Sequence, residues 1–129
     1  MEQTEKLKIL VAEDDFANQR VATLFLQKLG YEADIAENGE EALKKAQSAV
    51  YDLILMDCQM PLMDGFEATR EIRNGDGPNQ NVPIIALTAN VVCGVNGDCI
   101  QAGMNDILNK PVQLEEMKST LEAWIGKSV

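Results

Sequence analysis

Five short apolar runs punctuate the chain, and each stops abruptly on polar residues. Lys8-Ile9-Leu10-Val11-Ala12 is rich in β-branched residues and ends at Glu13-Asp14-Asp15, the pattern of a buried parallel strand. Tyr31 to Ala36 predicts a weaker second strand. Leu53-Ile54-Leu55-Met56, the most continuous run, ends on Asp57; Val82 to Leu87 ends on Thr88; Asp106-Ile107-Leu108-Asn109 ends on Lys110-Pro111. Helical spacing fills the gaps. Val21, Leu24, Phe25 and Leu29 recur at that spacing until Gly30, a residue suited to a left-handed helix end. Asn38 can cap a second helix in which Glu40–Lys44 and Glu41–Lys45 are favourable i,i+4 pairs. Pro61 and Asp64-Gly65 mark a loop before a third helix. Leu114, Met117, Leu121, Trp124 and Ile125 share one face of a closing helix, as core-packing residues do.

Strands alternating with helices imply right-handed crossovers and a parallel sheet covered on both faces. The expected fold is therefore a doubly wound α/β domain with a five-stranded parallel sheet and five helices. At 129 residues the chain accommodates one domain, here 1–129 with its core over about residues 6–126. Residues 74–81 read as a long polar loop.

Charge narrows the partners. The net charge of −10 repels phosphate backbones and anionic membrane surfaces, which argues against direct contact with nucleic acid. No apolar stretch approaches a membrane span, and Met1-Glu2-Gln3-Thr4-Glu5 lacks the basic and apolar regions of a signal peptide, so a cytoplasmic location is expected. Cys58, Cys93 and Cys99 lack C-x-x-C spacing and are read as reduced structural thiols. The chain contains no histidine, so any imidazole chemistry must come from another protein.

The candidate chemistry lies at the strand ends. In an open parallel sheet, ligands bind beyond the C-terminal ends of the strands, where the winding reverses. Glu13 and Asp14, Asp57, Thr88 and Lys110 occupy four such ends. One acid after a strand is usually a helix cap or a solvated loop residue, but four reactive strand ends together favour a site. Three carboxylates crowded in one crevice need a cation, and Mg2+ is the expected one because it prefers hard oxygen ligands. Asp14 and Asp57 fit as direct ligands, Glu13 as a ligand acting through water, and the backbone carbonyl of Gln59, just past Asp57, as a further one. Carboxylates attack phosphorus to form aspartyl phosphates, and Asp57, on the most buried strand, is the candidate nucleophile. Lys110 and Thr88 would neutralise and bind the phosphoryl oxygens. Pro111 permits a cis bond, which can turn the chain sharply and aim Lys110 inward.

Over about residues 6 to 125 the chain resembles the response-regulator receiver domains of two-component signalling. The resemblance rests on Ile9-Leu10-Val11-Ala12-Glu13-Asp14-Asp15, Leu55-Met56-Asp57-Cys58-Gln59-Met60-Pro61-Leu62-Met63-Asp64-Gly65, Ile85-Ala86-Leu87-Thr88-Ala89 and Leu108-Asn109-Lys110-Pro111-Val112. It implies strand order 2-1-3-4-5, the order of the flavodoxin-like receiver fold among the doubly wound sheets. It also implies Asp57 as phosphoacceptor, Glu13 and Asp14 as metal-binding acids, Thr88 as switch hydroxyl and Lys110 as the phosphoryl-contacting lysine. The implied donor is a phosphohistidine on a histidine kinase or phosphotransfer domain. A weak dimer through the fourth helix, fifth strand and fifth helix is implied as well. Such a domain catalyses only its own phosphorylation and dephosphorylation.

Two positions depart from the family. Ile107, three before Lys110, stands where an aromatic residue normally rotates during switching, and Gln59 replaces the common asparagine at a position that tunes dephosphorylation. Gly94 and Gly97 should soften the fourth helix by about 1 kcal/mol each relative to alanine, a substitute for the aromatic rotor. The stretches Met60 to Arg70 and Ala86 to Asn90 resemble hybrid sensor histidine kinases, so the receiver of a hybrid kinase is favoured over a free-standing response regulator. A Mg-dependent phosphohydrolase of the haloacid-dehalogenase type would carry an aspartate two residues after its nucleophile, where this chain has Gln59.

Overall fold

The structure, a computed structural model, describes residues 7–88 and 98–125. Five strands, β1 (Lys8–Ala12), β2 (Glu32–Ala36), β3 (Leu53–Asp57), β4 (Ile84–Thr88) and β5 (Asp106–Asn109), alternate with helices. These are α1 (Phe16–Leu29), α2 (Gly39–Ser48), α3 (Gly65–Asn74), α4 (Asp98–Ala102) and α5 (Leu114–Trp124). The strands form one parallel sheet in the order β2-β1-β3-β4-β5, so the winding reverses between β1 and β3.

The period-two geometry of strands divides the core. Leu10, Ala12, Ile54, Met56, Ile84 and Ala86 face α2 and α3. Their sequence neighbours Ile9, Val11, Leu53, Leu55, Ile85 and Leu87 face α1 and α5. β1, β3 and β4 are thus buried on both sides, which is why they read as continuous rather than alternating apolar runs. Among the described residues, no helix is long and apolar enough to cross a membrane.

Local chemistry sets the helix ends. Asp15 caps α1 by accepting from the Ala17 N–H at 2.9 Å, and Gly30 ends it in left-handed geometry at φ 92°. Asn38 caps α2 by accepting from the Glu41 N–H at 2.8 Å. The expected Glu40–Lys44 and Glu41–Lys45 pairs are not formed among the described residues; Glu41 instead accepts from the Glu37 N–H at 2.6 Å, serving the helix start.

Several boundaries and faces differ from the sequence pattern. β4 begins at Ile84, not Val82, because Pro83 has no N–H to give; its carbonyl accepts from the Ile54 N–H at 2.9 Å. The buried face of α1 is Ala22 and Leu26, with Phe25 and Leu29 partly covered, while Val21 and Leu24 face solvent. Trp124 lies at the rim of the α5 core face and donates its indole N–H to Asp106 Oδ2 at 3.0 Å. The polar loop is not merely solvated. Asn79 is buried within it, accepting from the Tyr51 N–H at 2.9 Å and donating to the Ala46 and Ala49 carbonyls, each at 2.6 Å. Gly94 and Gly97 lie outside the described residues.

Candidate functional site

Neighbouring strands β1 and β3 bring Glu13 and Asp57 to the same edge. Asp57 is the last residue of β3 and is still paired across the sheet with Leu87, so its side chain leaves a rigid, buried backbone. Its Oδ1 accepts from the Gln59 N–H at 3.1 Å, and its Oδ2 accepts from Lys110 Nζ at 2.8 Å. Glu13 follows β1 directly, and its N–H donates to the Ala36 carbonyl at 2.9 Å, extending the pairing with β2. Only 1% of it is exposed. Its Oε2 accepts from the Asp15 N–H at 3.2 Å, and its Oε1 lies 2.9 Å from Lys110 Nζ.

Lys110 therefore sits between two buried carboxylates. Burial by itself would lower its pKa, but Asp57 and Glu13 outweigh that and hold the ammonium more firmly protonated than usual. The Glu13 carboxyl is pushed up, first by burial and then by the negative charge of Asp57, against the downward pull of Lys110. The Lys110–Pro111 bond is cis, and the Lys110 N–H donates to the Thr88 carbonyl at 2.9 Å, which locks the ends of β4 and β5 together.

A cleft of about 320 Å3 joins these groups, with Glu13, Asp14, Asp57, Gln59, Thr88 and Lys110 in its lining. All five strand-end side chains singled out from the sequence meet there. Glu13, Asp57 and Thr88 are buried, and Asp14 is exposed at the mouth. One carboxylate oxygen each from Glu13, Asp14 and Asp57 lies within 4.8 Å of the others. Opposite ligands of a Mg2+ octahedron stand about 4.2 Å apart, so this all-oxygen set fits the ion with little closure.

Two residues of the cleft were not legible as site residues. Asp15 and Asn18 line it as well, and the Asn18 amide donates to Asp15 Oδ2 at 3.3 Å. The signal was their position, Asp15 at the N-cap and Asn18 in the first turn of the helix that starts at the acids, where side chains tilt back toward the strand end. Glycine governs the other wall. A Cβ on Gly65 would overlap the Asp57 carbonyl oxygen, and one on Gly39 would overlap the Met63 carbonyl. The loop from β3 to α3 turns sharply at Leu62, with φ 71° and a bond from the Met63 N–H to the Pro61 carbonyl at 2.7 Å.

Cys58 is buried, and burial pushes its thiol up to about 11, with Asp57 adding to the shift, so it is a structural thiol. Cys93 and the side chain of Cys99 lie outside the described residues. Ile107, in the position of the missing aromatic, is half-buried and packs against the core cluster that contains Ile84, Ala86 and Met104.

Residues 9–122 match the family model of the response regulator receiver domain. The chain belongs to that family. It is 40% identical over 125 residues to hybrid signal transduction histidine kinase K of Dictyostelium discoideum, covering 92% of this chain and 10% of that protein. The chain thus spans about a tenth of that relative. The receiver domain of sensor histidine kinase PA1611 from Pseudomonas aeruginosa PAO1, solved with a magnesium ion coordinated in its active site cleft, is 45% identical and superposes with a TM-score of 0.87. The overlap covers 95% of this chain and 99% of that one. The receiver domain of Saccharomyces cerevisiae Ssk1, solved with the histidine phosphotransfer protein Ypd1, is 31% identical with a TM-score of 0.83, over 94% and 90% of the two chains.

Proposed function

We propose that Asp57 is the phosphoacceptor of a phosphorelay, taking a phosphoryl group from a phosphohistidine on a histidine kinase or phosphotransfer domain. The observation that carries this reading is the buried Asp57 carboxylate, 2.8 Å from the Lys110 ammonium and grouped with the Glu13 and Asp14 carboxylates. Glu13, Asp14, Asp57 and the Gln59 backbone carbonyl would hold Mg2+. When bound, the ion supplies charge neutralisation and alignment for the transferring phosphoryl group.

The residues of the chain do the rest. An oxygen of Asp57 attacks phosphorus in line as the P–N bond to the donor imidazole breaks. The imidazole leaves neutral, because it keeps a proton on its other ring nitrogen, and no side-chain base is needed. Lys110 neutralises charge on the equatorial oxygens, and the Thr88 hydroxyl binds one of them. The absence of histidine from the chain makes a separate donor necessary, and the Ssk1–Ypd1 complex supports a phosphotransfer protein in that role.

The parent is a hybrid sensor histidine kinase on this reading, with the receiver in the cytoplasm and its core over about residues 6–126. The matches to hybrid kinases many times longer than this chain support it. Incubation with Mg2+ and acetyl phosphate, followed by intact mass measurement, tests the site. The protein should gain one phosphoryl group, only with Mg2+ present, and Asp57→Ala should gain none. Labelling that persists in Asp57→Ala overturns the assignment.

A further inference from the structure

Every polar group of Glu13 has a partner, and each comes from a different part of the fold. Its N–H donates to Ala36 of β2, its Oε2 accepts from the Asp15 N–H, and its Oε1 faces Lys110. The fourth partner lies in α1. The side-chain amide of Gln19 donates from Nε2 to the Glu13 backbone carbonyl at 2.7 Å, reaching back six residues across the helix start. This bond has a consequence for the next residue. Asp14 is exposed, and among the described residues its carboxylate accepts no hydrogen bond. The carbonyl that Gln19 holds belongs to the Glu13–Asp14 peptide, whose plane also carries the Asp14 N–H and Cα.

We infer that Gln19 is a positioning residue for the cation-binding acids: by fixing the Glu13 carbonyl it sets the peptide plane from which Asp14 enters the cleft. The inference rests on the reading of Glu13, Asp14 and Asp57 as the Mg2+ site. Mg2+ demands near-ideal octahedral geometry, so a ligand displaced by about 1 Å degrades binding. The role differs from that of a structural hydrogen bond. A merely structural bond would stabilise the fold and leave the Mg2+ affinity of the folded protein unchanged.

Calorimetric titration of the unphosphorylated protein with MgCl2, with folding checked by amide NMR, separates the two. Gln19→Met keeps the length and removes the donor; Gln19→Asn keeps an amide too short to reach the carbonyl. Thr23→Met, in the same α1 groove but without contact to Glu13, is the control. Both Gln19 variants should bind Mg2+ about tenfold more weakly, the size seen when groups that orient metal ligands are lost, and Thr23→Met should match wild type. Wild-type affinity in either folded Gln19 variant overturns the positioning role. A wild-type protein that binds no Mg2+ overturns instead the reading of the site on which the inference rests.

Discussion

Gly65 stands so close to Asp57 that a Cβ on it would overlap the Asp57 carbonyl oxygen, and its N–H donates to the neighbouring Cys58 carbonyl at 3.1 Å. The acceptor strand and the start of α3 are thus joined backbone to backbone, with no room for a side chain. Gly65→Ala must move one of them and should cost about 1–3 kcal/mol as an overpacked contact. Gly77, whose Cβ would meet its nearest neighbour at 3.7 Å, is the matched control, and Gly77→Ala should be neutral or slightly stabilising. Urea unfolding of the two variants checks this; equal stabilities would refute the close-approach account.

The charge of Glu13 should make stability depend on pH. Burial, reinforced by Asp57, raises its folded-state pKa above the ordinary 4.5, so the folded protein holds this proton more tightly than the unfolded chain. The contribution of Glu13 to stability is complete at low pH and is lost as pH rises through the raised folded value. In EDTA, the stability of wild type relative to Glu13→Gln should therefore fall as pH rises above the ordinary 4.5 and through the raised folded value. A difference that grows with pH would contradict it.

Arg73 forms a clamp that has no acidic partner among the described residues. Its guanidinium donates to the carbonyls of Gly103 at 2.9 Å, Gln80 at 3.0 Å and Val82 at 2.6 Å, and to Asn105 Oδ1 at 2.8 Å, tying α3 to the loops on either side of β4. Arg73→Met should cost about 2 kcal/mol, and Arg73→Lys should rescue little, because an ammonium cannot reproduce the planar fork of donors. Full recovery with lysine in denaturant unfolding would show that charge alone matters.

Cys58 should resist alkylation in the native protein. With its thiol pushed up to about 11 by burial, the thiolate is scarce at neutral pH. Iodoacetamide treatment followed by peptide mapping should label Cys58 rapidly only after denaturation. Native labelling at the unfolded rate would refute its burial.

The strands and the acids at their ends were legible because a strand buried on both faces leaves a continuous apolar run with an abrupt polar stop. β1 and β3 announce themselves this way, and with them Glu13, Asp14 and Asp57. The helices were legible in place but less so in orientation. Val21 and Leu24 have the spacing of a core stripe, yet the sheet takes Ala22 and Leu26, since helical spacing alone does not say which of two adjacent stripes a neighbour will cover.

The residue types and their order along the chain determined the alternation of elements and which acidic, hydroxyl and ammonium groups stand at the strand ends. Distance was decided only by the tertiary structure, because side-chain contacts between remote segments leave no periodic trace. The Lys110 ammonium between Asp57 and Glu13, the Asn79 amide buried in a loop that reads as polar, and the Gln19 amide on the Glu13 carbonyl each join segments through single directional bonds. Such bonds depend on where the sheet order β2-β1-β3-β4-β5 sets the strand ends, and that order follows from packing three-dimensional layers rather than from any one run of residues.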